Sequence, residues 1–449
     1  MSEEPFDGDR SVLDLVGVGF GPSNLALAIA VAEHNAERRR TPGTPPVTAA
    51  FVERQRAFGW HRGMLLEDAT MQVSFLKDLV TLRNPKSDFS FLCYLQSRDR
   101  LIDFINQKNF FPSRMEFHDY LQWAAELVDG DVTYGREVVA IRPVLHDGDV
   151  AWFDVVSADV TGAAEPLVHR ARNLVLGTGL TPRLPDGVTA DDRIWHTRDL
   201  LPSAERLKVE APSSKRFVVV GAGQSAAEAV DYLHREFPQA EVNAVITRYG
   251  YSPADDSAFA NRIFDPAAVD DFFAAPAQVK QMMLDYHGNT NYSVVDQDLI
   301  EDLSRRVYQE KVRGEERLRL LNVSKVTEAV RLGDKVHTVV ESMITGERQV
   351  LEADAVVFAT GYRQPDPAAL LGDLAAECRR DEAGQVVVAR DYRVDLGPRV
   401  RAGVYLQGGT EHTHGISSSL LSNTSVRSAE ILASVARRTT STQQPSLIS

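Results

Sequence analysis

Two glycine-rich turns, each following an apolar run, stand roughly two hundred residues apart in this chain. The first reads LDLVGVGFGP over residues 13–22, the second FVVVGAGQSA over residues 217–226. In the first, Gly17 permits a tight turn and Gly19 lets backbone N–H groups approach a pyrophosphate. Gly21 and Pro22 then open a helix, from Ser23 to about Glu33, whose N-terminal dipole faces the phosphates. Pro22 replaces the usual third glycine, and proline is tolerated in a first helical turn. In the second turn Gly221, Gly223 and Ala226 match GxGxxA, Gln224 lies in the turn, and Ser225 begins the next helix, to about Arg235, facing the phosphates. One such turn binds one dinucleotide. Two imply two, and a chain that holds two is expected to pass electrons from one to the other.

The strand ends distinguish the two turns. Residues 48–53 (TAAFVE) end in Glu53, an acid suited to ribose hydroxyls. Glu53 lies late in the sequence because residues 38–46 (RRRTPGTPP) read as a surface loop. A solvated strand-end carboxylate is the alternative. The strand after the second turn, 241–246, ends in Thr247 and Arg248, with no acid. An arginine there suits a 2′-phosphate and favours NADP over NAD; otherwise Arg248 solvates a loop.

These residues need a scaffold. Residues 174–179 (LVLGTG) and 356–362 (VVFATGY) are each an apolar strand running into a Thr-Gly turn. Paired in this way, they mark where the chain leaves and re-enters a discontinuous first domain. The predicted fold class is α/β, with two Rossmann-like dinucleotide-binding domains, the second inserted in the first. The first domain takes 1–210 and 350–436, and the second takes 214–349. Within the second, 250–312 is a small, mostly helical substrate-binding subdomain. The polar tail 437–449 is predicted to be disordered.

Composition sets the outer limits. The chain has 449 residues, 43% hydrophobic and 25% charged, as in an ordinary globular protein. A net charge of −14 argues against nucleic acid or an anionic membrane surface as partner. Two cysteines, Cys93 and Cys378, form no CxxC pair, so no redox dithiol is present and a reducing cytoplasm fits. The apolar stretch 12–32 is interrupted by Gly17, Gly19, Gly21, Pro22 and Asn24, and reads as strand, loop and buried helix rather than a membrane span. His412 and His414 lack a third ligand nearby, so no metal is expected.

Seven further segments carry a resemblance. They are WHRGM (60–64), MQVSFLKDL (71–79), FSFLCYL (89–95), DDSAFAN (255–261), NTNYSVV (289–295), ATGY (359–362) and GGTEHTHGISSSLLS (408–422). Together, over about 12–435, they resemble the flavin-dependent N-hydroxylating monooxygenases, in particular the ornithine branch. The resemblance implies FAD in the first turn and NADPH in the second. It implies that NADPH reduces FAD, that reduced flavin captures O2 as a C4a-hydroperoxide, and that the free amine of L-ornithine attacks it to give N5-hydroxy-L-ornithine. That product feeds a siderophore or a related nonribosomal peptide. L-lysine N6-hydroxylation or diamine N-hydroxylation is the alternative, and a non-catalytic dinucleotide-binding sensor is a remote one. Relatives are often homo-oligomers, dimers or tetramers.

Site roles follow from the resemblance. Lys77 takes the substrate carboxylate; without the family, it reads as an exposed charge paired with Asp78. Asn261 and Asn291 give neutral hydrogen bonds, which do not hold the reacting amine in its ammonium form; alternatively they are caps or turn residues. Gln72 lies beside the flavin ring and acts in catalysis with Asn291, which also reaches NADPH; otherwise Gln72 is a polar strand-edge residue. Trp60 and His61 lie near FAD, though a lone Trp is more often core. Val138 meets the adenine end through its backbone. Thr360, Ser419 and Leu420 complete the FAD site, with Ser419 also near the substrate.

Overall fold

A computed structural model describes residues 11–40, 46–128, 130–255, 257–291 and 293–442, with the side chains of 289–291, 419 and 439–442 left outside the description. Two five-stranded sheets organise the molecule, and every neighbouring pair within them runs parallel. The first sheet has the order 403–406, 173–176, 15–18, 49–53, 131–134. The second has the order 318–321, 241–245, 216–220, 355–358, 194–196. Leu15–Val18, Asn173–Leu176 and Ala355–Phe358 are buried at every position, as expected of parallel strands covered on both faces.

Helix Pro22–Arg39 follows the first turn. Leu25, Ala26, Leu27, Ala28 and Ile29 are buried all round, because the helix lies between the sheet and the C-terminal helix Thr424–Thr442. The apolar stretch 12–32 is therefore strand, turn and buried helix. Among the described residues no helix is long and apolar enough to cross a membrane. Helix Gln224–Glu236 occupies the matching place after the second turn. Two antiparallel three-stranded sheets (136–146, 149–159, 167–171 and 324–332, 335–342, 348–353) branch from the parallel ones. Residues 260–313 are largely helical.

Three expectations need correction. Ala355–Phe358 pairs with Arg216–Val220, so it belongs to the second sheet and does not mark the return to the first. Ile194–His196 pairs beside it, and helix Leu200–Glu210 buries Leu200, Ala204 and Leu207 in the same core as Phe217 and Val219. The crossings therefore fall near 181 and 362. There Thr181–Pro182 and Tyr362–Arg363 form a two-residue antiparallel ladder. A short apolar strand carries no label of the sheet it joins, hence the shift from 210 and 350. Finally, the polar residues 437–442 continue helix Thr424–Thr442 instead of fraying at 436; residues 443–449 lie outside the described part.

Candidate active site

Each glycine of the first turn has a separate reason. A Cβ on Gly17 would lie 2.3 Å from Phe51 Cδ1, so Gly17 is a strand position that admits a neighbouring ring, not the turn itself. The turn is made by Gly19, at φ +84°, where a Cβ would meet Gly177 O at 2.5 Å. Gly21 caps helix Pro22–Arg39, and a Cβ there would meet nothing within 4 Å. Glu53 is buried at the tip of strand Ala49–Glu53. One carboxylate oxygen accepts from Phe20 N–H at 2.6 Å and the other from Gln55 N–H at 2.8 Å. The acid thus holds the turn in shape, and each oxygen keeps acceptor capacity.

The residues around this turn fit an anionic dinucleotide. Arg427 is 1% exposed, and its Nε and Nη2 donate to Gln407 Oε1 and Ser23 Oγ at 2.8 and 3.2 Å. Its Nη1 is buried without a hydrogen-bond partner, as are Ser422 Oγ and Ser425 Oγ. Among the described residues no carboxylate forms an ion pair with it, and a buried cation linked to the opening of a phosphate-facing helix calls for a negative group.

The second turn repeats the design. A Cβ on Gly221 would lie 2.6 Å from Ala359 O, and one on Gly223 would lie 3.3 Å from Ser293 Cα. Ser225 is exposed in the first turn of its helix. Arg248 follows strand Glu241–Val245, and its Nη1 donates to Ser293 O at 3.0 Å. Ser293 therefore touches both the glycine turn and the arginine expected at the 2′-phosphate. Replacing Arg248 by Ala is expected to raise the KM for NADPH by about 10- to 100-fold, as for loss of a charged hydrogen bond, while leaving NADH turnover nearly unchanged. Steady-state rates with both coenzymes check this.

A polar chain ties Gln72 to the second turn. Gln72 Nε2 donates to Asp296 Oδ2 at 2.6 Å, and Gln224 Nε2 donates to the same oxygen at 2.9 Å. Asp296 N–H donates to Gln224 Oε1 at 2.8 Å, and Gln224 Nε2 also reaches Glu228 Oε1 at 3.0 Å. Glu228 forms a two-pronged ion pair with Arg114 at 2.9 and 2.7 Å, and Arg114 donates to Met64 O at 2.8 Å. Burial, followed by the Glu228 charge, raises the Asp296 carboxyl above the usual range, against hydrogen bonds from both glutamines that lower it.

Lys77 is half-buried, and among the described residues no carboxylate pairs with it. The alternative pair with Asp78 does not form. Asp78 is buried and accepts instead from the N–H groups of Val80, Thr81 and Phe91 at 2.9, 2.6 and 2.8 Å. Asn261 sits on the 3-10 helix Ala260–Phe264, which the Asn423 amide ties to the C-terminal segment through Phe264 O at 3.1 Å. Asn291 ends helix Ala277–Asn291 and Ser419 ends the 3-10 helix Ile416–Ser419; both side chains lie outside the described part. Leu420 follows in extended conformation.

Trp60 packs on the first core, its ring 6.2 Å from Phe117 and 4.6 Å from His61. His61 is solvent-exposed at its surface, with many protein atoms around it. Desolvation there, and then Arg114, lower its pKa to about 4, so it is neutral at pH 7. Val138 lies where the ladder to Ser157 shifts register, which frees its backbone from regular pairing. The Thr360 hydroxyl donates to Arg183 O across the two crossing strands, which gives it a structural task there. His412 and His414 hydrogen-bond to backbone oxygens of Val386 and Arg390. Among the described residues no group of three His, Cys, Asp or Glu could hold a metal ion.

Sequence reading missed Asp296, Arg114, Glu228, Ser293 and Arg427. Asp296 directly follows the 289–295 segment, which is a usable signal; Arg114 and Glu228 carry none.

A model of the L-lysine 6-monooxygenase/L-ornithine 5-monooxygenase family matches residues 11–364. The chain belongs to this family. It is 43% identical to an L-ornithine N(5)-monooxygenase of Burkholderia cepacia, over 90% of each chain. Among solved structures it is similar to an ornithine N-hydroxylase of Kutzneria sp. 744, described with reduced FAD, NADP+ and L-ornithine. The TM-score is 0.90 at 47% identity, covering 96% of this chain and 100% of that one. An L-lysine 6-monooxygenase of Pseudomonas syringae gives a TM-score of 0.82 at 31% identity, covering 95% and 99%. The family's two parallel sheets are those described above, and the chain is a monooxygenase with the expected α/β fold.

Proposed function

We propose that this chain hydroxylates the side-chain amine of L-ornithine, using NADPH and O2 with bound FAD. The observation that carries the reading is the presence of two phosphate turns in one chain, the second of them tied to Gln72 through Asp296 and Gln224. Greater identity to the ornithine enzymes than to the lysine enzyme supports the choice of amine. L-lysine is the second reading, because the family model spans both substrates and one methylene is worth only about 1–3 kcal/mol in a pocket. The reaction balances as L-ornithine, NADPH, H+ and O2 giving N5-hydroxy-L-ornithine, NADP+ and water.

FAD belongs in the first turn, with Gly17, Gly19, Gly21, Pro22 and Glu53 shaping its phosphate and ribose site. Trp60, His61, Gln72, Val138, Thr360, Ser419 and Leu420 lie around the rest. NADPH belongs in the second, with Gly221, Gly223, Gln224, Ser225, Arg248 and Asn291. When bound, FAD supplies the two-electron store and the ring that activates O2. The protein does the rest. Lys77 holds the substrate carboxylate, since its ammonium has no carboxylate partner among the described residues. Asn261, Asn291 and Ser419 orient the substrate without adding charge. A free alkyl amine is about 99.9% protonated at neutral pH, so neutral partners matter for freeing the nucleophile.

The product, a hydroxylamine, fits hydroxamate siderophore or related nonribosomal peptide assembly. A cytoplasmic homodimer or homotetramer is the accompanying expectation, checked by light scattering. The deciding test is NADPH oxidation by FAD-loaded protein in air with L-ornithine or L-lysine, assaying hydroxylamine and hydrogen peroxide. Hydroxylamine matching NADPH consumed with L-ornithine alone is expected. Peroxide alone with every amine would overturn the reading.

A further inference from the structure

Asp296 stands at the N-cap of helix Gln297–Arg313, where an aspartate ordinarily accepts from the helix's own first N–H groups. It makes no such side-chain bond here. Its carboxylate is turned away, to the amides of Gln72 and Gln224. A carboxylate only accepts, so both glutamines must present their NH2 groups to it. That fixes Gln72 with Nε2 toward Asp296 and Oε1 on the opposite side. The same residue is locked to the second turn from its own backbone, through Gln224 Oε1. Three residues earlier, Ser293 contacts Gly223 and Arg248, and the segment between is buried at Val294 and Val295. Residues 293–296 thus touch three points of the second turn's site and, through Asp296, Gln72.

We propose that Asp296 is a positioning residue that couples the second dinucleotide site to Gln72. It holds the Gln72 amide in one orientation, and it does so from a backbone whose place is set by the second turn. The inference rests on the two-cofactor reading above, but not on which amine is oxidised.

The test is a double-mutant cycle on FAD-loaded protein with Gln72→Ala and Asp296→Ala, plus Asp296→Asn as the isosteric variant. Two readouts are taken. The first is the visible flavin spectrum titrated with NADP+, which needs no substrate and no turnover. The second is the share of NADPH oxidation that ends as peroxide. Asp296→Ala is expected to weaken NADP+ by about tenfold and to alter the NADP+-induced spectral change as Gln72→Ala does, with the double variant no worse than the worse single one. Asp296→Asn, which can still accept but has lost the charge, should fall between wild type and Asp296→Ala. Additive effects, or an Asp296→Asn protein with wild-type spectra and peroxide share, would overturn the proposal. Because the spectral arm needs no amine, it still decides if the ornithine reading fails. Unchanged flavin content and melting temperature in Asp296→Asn separate positioning from folding.

Discussion

Replacing Lys77 by Ala is expected to raise the KM for L-ornithine by about 30- to 1000-fold, as for a desolvated charge pair that loses one member. The ammonium has no carboxylate partner among the described residues, and the neighbour that could have neutralised it, Asp78, is consumed by four hydrogen bonds from Val80, Thr81 and Phe91. On the proposed reading, a substrate carboxylate completes it. NADPH oxidation without substrate should persist in the variant, with the electrons appearing as peroxide. A diamine has no carboxylate, so any slow turnover of one should be indifferent to the change. An unaltered ornithine KM would place the substrate carboxylate elsewhere and remove the main argument for an amino acid substrate.

A second large effect separates two glycines only two positions apart. Gly19→Ala forces an L-residue into the left-handed region at φ +84° and drives a Cβ to 2.5 Å from the backbone oxygen of Gly177. Strain and clash together are expected to lower the melting temperature by about 5–10 °C and to yield protein without flavin. Gly21→Ala meets nothing within 4 Å. The apo melting temperature should therefore hold, whereas FAD affinity should fall about 10- to 100-fold, because the added methyl overpacks the space left for the cofactor. Calorimetry of apoprotein beside FAD titration checks both. A Gly21→Ala protein that binds FAD normally would mean that the pyrophosphate does not lie over this helix.

Much of this was legible in the chain because local rules and fold agree. Both turns, the helices after them, Glu53 at its strand tip and Arg248 after its strand follow from spacing and residue type. Elsewhere the same information was silent. Spacing makes Gly17 the turn glycine, whereas it is flat strand emptied for the Phe51 ring, a contact with a residue more than thirty positions away. The sheet membership of Ile194–His196 and Ala355–Phe358 depends on long-range pairing that an apolar four-residue run does not encode. Arg114 and Glu228 lie more than a hundred residues apart and meet only in the fold. Residues 437–442 look polar enough to be loose, yet the helix begun at Thr424 carries on through them.

The strand order of the first sheet also has a consequence for how the chain is made. All strands of the second sheet have been synthesised by Phe358, but the first sheet waits for Gly403–Leu406, and helix Pro22–Arg39 waits for its partner Thr424–Thr442. At roughly 5–20 residues per second, the nascent chain spends several seconds with Asn173–Leu176 as a bare apolar edge. In that interval the NADPH half can fold while the FAD half stays open. Chaperone capture and premature termination should both fall on the flavin side of the molecule.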